Sequence, residues 1–187
     1  MATTKKNAAT LIFMDESGFS EAAVIRRTWA PRGHTPVLHP RGRNLHWMSA
    51  IGALAYHRNS GRTQLLLLFQ RGSVRTAGVL RFLRHLRRHV RGTVLLLWDG
   101  LQAHRASDVR AWIDSQRHWL TVERLPAYAP ELNPVEGLWA WLKGTCLANV
   151  CGDELDPLVA RVRSGAKRIR HRHDLLYSFL AKAGLSL

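Results

Sequence analysis

No apolar run in the 187-residue chain approaches the ~20 residues of a membrane-spanning helix, so a soluble protein without a membrane partner is expected. The first residues, Met-Ala-Thr-Thr-Lys-Lys-Asn, carry the charge of a signal peptide. The apolar run after them is only about five residues and ends at Asp15-Glu16, which argues against secretion. The chain has 2 cysteines, Cys146 and Cys151, and no second pair to complete a zinc site. Small thiols in a reducing cytoplasm are the expectation. Repeats, long linkers and low-complexity tracts are absent as well, and the length suits one well-buried core. The most informative absence is of charge of one sign: residues 22–98 contain no Asp, no Glu and no Lys.

What fills that span is arginine, 14 of the chain's 28 basic residues, within a net charge of +15. A guanidinium pairs with phosphate through a fixed planar fork. A polyanionic partner, nucleic acid above all, is therefore favoured over a small acidic metabolite. The plainer reading is a coding bias towards Arg, with the side chains merely solvated. Hydrophobic content of 46% with 7 Trp excludes a generally disordered chain.

Thr10-Leu-Ile-Phe-Met14 reads as a buried strand that delivers Asp15 at or near its end. Residues 27–38, with Pro31, Gly33 and Pro36 between apolar pieces, read as a loose hairpin or edge ribbon that carries Trp29. The segments 47–56 and 63–70 read as two further strands of an antiparallel meander. Over 75–91 the period changes: Val79, Leu83, Leu86 and Val90 form one helical face, with Arg81, Arg84, Arg88 and Arg91 opposite. That basic face either is solvated or tracks a phosphate backbone.

Residues 92–98 form the clearest central strand and end in Asp99. A crossover helix makes this strand parallel to the first, so Asp15 and Asp99 can lie side by side. Their mutual repulsion would be relieved by a divalent cation. A helix at 108–116, a strand at 120–125 and a Pro-rich loop lead to a helix with Asn133 as N-cap and Pro134 at its first position. Val135, Leu138, Trp139 and Leu142 supply its apolar face. Glu136, at the third position, is either a capping-box acid reaching back to the Asn133 N–H or a metal ligand. The predicted order is βββαβαβα, an α/β class with a mixed five-stranded sheet flanked by helices. A helix starting at Asp156-Pro157 should be weakened in its middle by Gly165. The other Trp residues read as core before base-stacking surface, and the Trp29 ribbon is the best exception.

Asp15, Asp99 and Glu136 are hard oxygen donors, which suit Mg²⁺ or Mn²⁺ and two-metal phosphoryl transfer. Three segments resemble the DDE transposases of bacterial insertion sequences on the mariner-like branch. They are Ile12-Phe-Met-Asp-Glu-Ser-Gly18, Leu95-Leu-Leu-Trp-Asp-Gly-Leu-Gln-Ala-His104 and Leu125-Pro-Ala-Tyr-Ala-Pro-Glu-Leu-Asn-Pro-Val-Glu-Gly-Leu-Trp139. The resemblance covers about residues 10–148. It implies a ribonuclease-H-like fold, Asp15, Asp99 and Glu136 as catalytic metal ligands, two Mg²⁺ or Mn²⁺ ions, cleavage at transposon ends and strand transfer into target DNA. With all three acids in matching segments, the metal reading of Glu136 outweighs the capping one, and the two need not exclude each other.

The resemblance also implies that His104 supports the site or touches DNA, with helix-start packing as the alternative. Asn133, Arg81, Arg84 and Arg88 are candidate supporting or DNA-contacting residues. Gly100 departs from a frequent Asn of the family. The first strand begins at about residue 10, without room for the family's helix-turn-helix region. The expected organisation is a tail at 1–9, the catalytic domain at 10–150 and a basic helical extension at 151–187. A separate helix-turn-helix chain or reading-frame half, a homodimer on double-stranded DNA and a bacterial, cytoplasmic, nucleoid-associated location follow as expectations. Two other functions compete: a non-catalytic DNA-binding remnant of a transposase, and a ribonuclease-H-like nuclease restricted to hydrolysis.

Overall fold

The first strand, β1 (Thr10–Ser20), runs through the middle of the sheet, and alternation of its side chains sorts the whole core. Phe13 and Phe19 point into one apolar cluster, whereas Ile12 and Met14 point into the other. In this computed structural model the described residues are 10–22, 24–38, 47–58, 60–127, 129–150 and 154–185. The expected tail at 1–9 and the residues Arg41, Arg43, Tyr128 and Cys151 lie outside them.

The sheet has the order β3-β2-β1-β4-β5, with β2 at Trp47–His57, β3 at Arg62–Arg71, β4 at Val94–Trp98 and β5 at Leu120–Arg124. β1 to β3 form the antiparallel meander, and β4 and β5 add in parallel on the other side of β1. Helices α1 (Thr76–His89) and α2 (Ser107–Ser115) cover one face. On the opposite face, α3 (Pro134–Cys146), α4 (Leu155–Ile169) and α5 (His173–Lys182) share a single core with Phe13, Leu54 and Tyr56. This is the mixed five-stranded, helix-flanked ribonuclease-H-like fold that the sequence predicts. No helix among the described residues is long and apolar enough to cross a membrane.

Three expectations change. β1 does not stop near Asp15 but continues to Ser20, because the long β2 pairs with it along its whole length, Asp15 opposite Gly52 and Ser20 opposite Trp47. The ribbon at 27–38 is absent: these residues form no strand, and Trp29 is fully exposed. Pro31 and Pro36 each lack the N–H that a ladder needs. Gly165 does not interrupt α4; a Cβ there would collide with Cys146 Sγ, so the missing side chain lets α4 lie close against α3.

The C-terminal helices are built into the domain rather than attached to it. Leu158, Val162, Ala166 and Ile169 of α4 and Leu176, Phe179 and Leu180 of α5 are buried in the same cluster as α3. The buried Tyr56 hydroxyl donates to the Leu176 carbonyl at 3.0 Å and ties α5 to the sheet. Part of the arginine excess is used for packing too. The Arg87 guanidinium lies 4.6 Å from the Trp119 ring centre and that of Arg163 5.2 Å from Phe69.

Candidate active site

The register of two parallel strands assembles the site. Phe13 of β1 stands beside Leu97 of β4. Asp15 lies two residues beyond that last paired position, and Asp99 directly follows the end of β4, so both carboxylates reach the same end of the sheet. Glu136 arrives from the first turn of α3. Its entry is fixed by backbone hydrogen bonds: Leu125 N–H to Trp98 O (2.8 Å) holds the chain to the end of β4, and a short 3-10 turn at Pro130–Leu132 then leads to Asn133. The Asn133 side chain accepts the Val135 N–H at 3.2 Å, as expected of an N-cap. The Asn133 N–H itself donates to Pro130 O at 3.0 Å, so the donor that a capping-box Glu136 would seek is already engaged.

Asp15, Asp99 and Glu136 line one cleft of about 410 Å³, walled by Gly100, Arg105, Asn133, Pro126 and Pro130. The three acids differ in exposure: Asp15 is buried, Asp99 is half-exposed and Glu136 is exposed. Asp15 Oδ2 accepts a 2.9 Å hydrogen bond from Trp139 Nε1. That indole lies close against β2 because residue 52 is glycine, where a Cβ would stand 2.6 Å from the Trp139 ring. Burial first, and then the nearby charges of Glu136 and Glu16, push the Asp15 carboxyl up to about 7, against the pull of the Glu16 N–H and the indole.

Asp99 is held differently. His104, only 2% exposed, stacks on Trp98 with ring centres 4.2 Å apart. Its Nδ1–H donates to Asp99 Oδ1 at 3.1 Å and its Nε2–H to Glu16 Oε1 at 3.0 Å. Burial alone would lower the imidazole pKa, yet the hydrogen bonds to Asp99 and Glu16 raise it to about 9. The bond from His104 in turn holds the Asp99 carboxyl below its ordinary value, with help from the Leu101 N–H at 2.9 Å. Ligand atoms of Glu16, Asp99 and His104 lie within 4.8 Å of one another. The imidazole thus bridges the two carboxylates as a clamp.

Sequence reasoning did not single out Glu16, Trp139 or Arg105 as parts of the site. Glu16 was legible in principle, because strand alternation sends it to the face opposite Asp15, where His104 waits. Trp139 was read as core, and it is buried, but its N–H needs an acceptor and finds Asp15. Arg105 reaches the cleft past Gly100, whose bare Cα leaves room for a guanidinium nitrogen 2.8 Å from the position of a Cβ.

Arg81, Arg84 and Arg88 do not line this cleft. They stand on α1, on the sheet face away from α3, and Arg81 donates to Gln70 Oε1 at 2.9 Å. Arg84 and Arg88 are exposed. His104 is buried, and its ring nitrogens contact Asp99 and Glu16.

The sequence profile of the DDE superfamily endonucleases matches residues 10–158. No curated protein matches the chain in sequence. Among solved structures, the Mos1 strand transfer complex superposes with a TM-score of 0.61 at 17% identity, over 100% of this chain and 58% of that one. The Mos1 mariner paired end complex with Mn gives 0.61 at 17% identity over 93% and 53%. The catalytic domain of Mos1 mariner transposase gives 0.52 at 16% identity over 100% and 89%. The chain thus spans a little over half of the longer Mos1 chains and most of the isolated catalytic domain. At these identities the likeness is one of fold.

Proposed function

From the premise that this chain belongs to the DDE superfamily endonucleases, we propose that it is the catalytic domain of a transposase. It would cut DNA at transposon ends and join those ends to target DNA. The observation that carries the reading is the convergence of Asp15, Asp99 and Glu136 on one cleft, from two adjacent parallel strands and a helix start. The donor set fits divalent cations. All three groups are hard carboxylate oxygens, and the pKa of Asp15, raised first by burial and then by the charge of Glu136, shows an ionised form that a bound cation would stabilise. The three acids would hold Mg²⁺ or Mn²⁺, two ions in all. Mos1 mariner complexes have been solved with each of these metals.

Bound ions would activate a water or a DNA 3′-hydroxyl for in-line attack and stabilise the departing oxygen. The chain's own residues do the positioning. Trp139 fixes one oxygen of Asp15, whose residue lines the cleft. His104 fixes Asp99 from behind, and its positive charge keeps that carboxylate ionised. The Pro-rich loop sets where Glu136 enters, while the exposure of Glu136 leaves that side of the cleft open to a DNA strand.

The proposal includes double-stranded DNA as partner, a homodimer on paired ends, and a helix-turn-helix region supplied by further sequence or a separate chain. The place of action would be the bacterial cytoplasm, at the nucleoid. The test is a cleavage and strand-transfer assay with Mg²⁺ or Mn²⁺ on DNA carrying the element's ends. Nicked and joined products that vanish in Asp99→Asn are expected. No metal-dependent product, or activity untouched by Asp99→Asn, would overturn the enzyme reading in favour of a DNA-binding remnant. Nicks without joined product would assign hydrolysis only.

A further inference from the structure

The loop that follows β4 lines two clefts. One is the acidic cleft; the other, larger at about 650 Å³, lies between this loop and the start of α1. Arg75 and Thr76 form one wall of the second cleft, and Leu101, Gln102 and Arg105 form the other. No acidic residue lines it. Arg105 is common to both clefts, its guanidinium resting over the bare Cα of Gly100.

Arg75 and Arg105 also differ from other arginines whose side chains are occupied. Arg71, Arg117 and Arg172 pair with Asp156, Asp114 and Asp174, Arg81 bonds Gln70, and Arg87 and Arg163 lie over aromatic rings. Neither Arg75 nor Arg105 has a salt bridge to a carboxylate among the described residues. Arg75 faces a cleft without acids, and Arg105 stands between that cleft and the carboxylates, its charge felt by Asp99; a guanidinium so placed and free of a salt bridge is suited to a phosphate.

We propose that the second cleft is a backbone-binding subsite for the DNA strand being processed: Arg105 and Arg75 take the phosphodiesters that follow the one seated among the carboxylates. The inference rests on reading the acidic cleft as the place of strand cleavage. It adds the direction in which the strand leaves, across the 99–106 loop towards the N-terminus of α1. A strand held only by three carboxylates would be repelled wherever cations do not intervene, whereas the neighbouring cleft, with two guanidiniums and no acid, attracts it. Leu101 and Gln102 offer an apolar and an amide surface beside the phosphates, with no arrangement that singles out one base. The contact should therefore be indifferent to sequence.

The experiment measures binding of a fluorescent duplex with a single-stranded 3′ extension, in EDTA, over a series of KCl concentrations. Arg75→Ala and Arg105→Ala are compared with wild type and with Arg88→Ala, a change near the other end of α1. Each of the first two should weaken binding about three- to tenfold at low salt and reduce the salt slope by about one. Arg88→Ala should change the slope less, and Mn²⁺ affinity should not fall in Arg75→Ala or Arg105→Ala. Equal slopes in wild type and in both cleft variants, or an equal loss in Arg88→Ala, would overturn the subsite. A wild-type cleavage assay run alongside separates the two readings. Cleavage with unaltered slopes removes the subsite alone, whereas reduced slopes without any metal-dependent cleavage retain the subsite and remove the nuclease.

Discussion

Asp15 and Asp99 line the same cleft, yet the protein holds them by opposite means. Asp15 is buried, faces Glu136 and receives one neutral indole N–H, and its carboxyl is pushed up to about 7. Asp99 is half-exposed and braced by a buried imidazole whose pKa is raised to about 9, which keeps the carboxyl low. One half of the site carries unbalanced negative charge and the other is balanced by a fixed cation. A site built this way is ready to accept positive charge on the Asp15–Glu136 side while Asp99 stays ionised and oriented.

The largest effect expected from breaking this asymmetry comes from His104→Gln. Because the folded-state pKa of about 9 lies above the ordinary value of 6.5, the charged clamp contributes its full stability below about pH 6.5. That contribution fades as pH rises through 9. Denaturant unfolding of the metal-free protein should show a deficit of about 2–3 kcal/mol in the variant at pH 6, shrinking towards pH 10. A deficit independent of pH would mean that packing on Trp98 is all that His104 supplies.

Isosteric changes of the two aspartates should move metal-free stability in opposite directions. The Asp15 carboxyl is raised, so its ionisation costs stability above about pH 7 and costs nothing below about pH 4. Asp15→Asn should therefore gain roughly 2 kcal/mol at pH 8 and nothing near pH 4. Asp99→Asn should lose about 1–2 kcal/mol, because the buried His104 cation is left with one carboxylate partner. Thermal melts at the two pH values check the signs, and a loss in both variants at pH 8 would remove the asymmetry.

Trp139→Phe sharpens the Asp15 half, since it keeps the ring and removes the donor. Mn²⁺ affinity should fall about tenfold for a stability cost of about 1 kcal/mol. Gly52→Ala should act in the same direction by pushing the indole off Asp15, and unchanged Mn²⁺ affinity in both would leave Trp139 with a packing role only. The smallest effect is expected from Pro134→Gly, which loosens the entry of Glu136. Activity should drop severalfold while stability changes by less than about 1 kcal/mol. Parallel losses of activity and stability would assign the Pro-rich loop to folding.

The parts of the site that the sequence disclosed are those set by local pattern. Two apolar runs each deliver an aspartate, and the Asn133-Pro134 pair marks the start of α3 to the residue. The parallel pairing of β1 and β4 followed because a crossover helix leaves few ways to place β4. What stayed hidden depends on partners distant in sequence. Glu16-Ser17-Gly18 looks like a turn, yet β2 supplies the hydrogen bonds that carry β1 through it. Gly165 looks like a weak point until Cys146 is seen against it. The arginines of α1 form a clear stripe, whereas Arg105, which reaches the cleft, has no periodicity to announce it.

The most direct test of the central claim is Mn²⁺ binding to the metal-free protein, followed by the paramagnetic resonance signal of the free ion. Wild type is compared with Asp15→Asn, Glu136→Gln and Glu16→Gln. Asp15, Asp99 and Glu136 as the metal ligands predict that binding is lost or greatly weakened in the first two variants and largely kept in Glu16→Gln. Binding kept in Asp15→Asn and Glu136→Gln but lost in Glu16→Gln would place the ion in the Glu16–Asp99–His104 cluster and contradict the account.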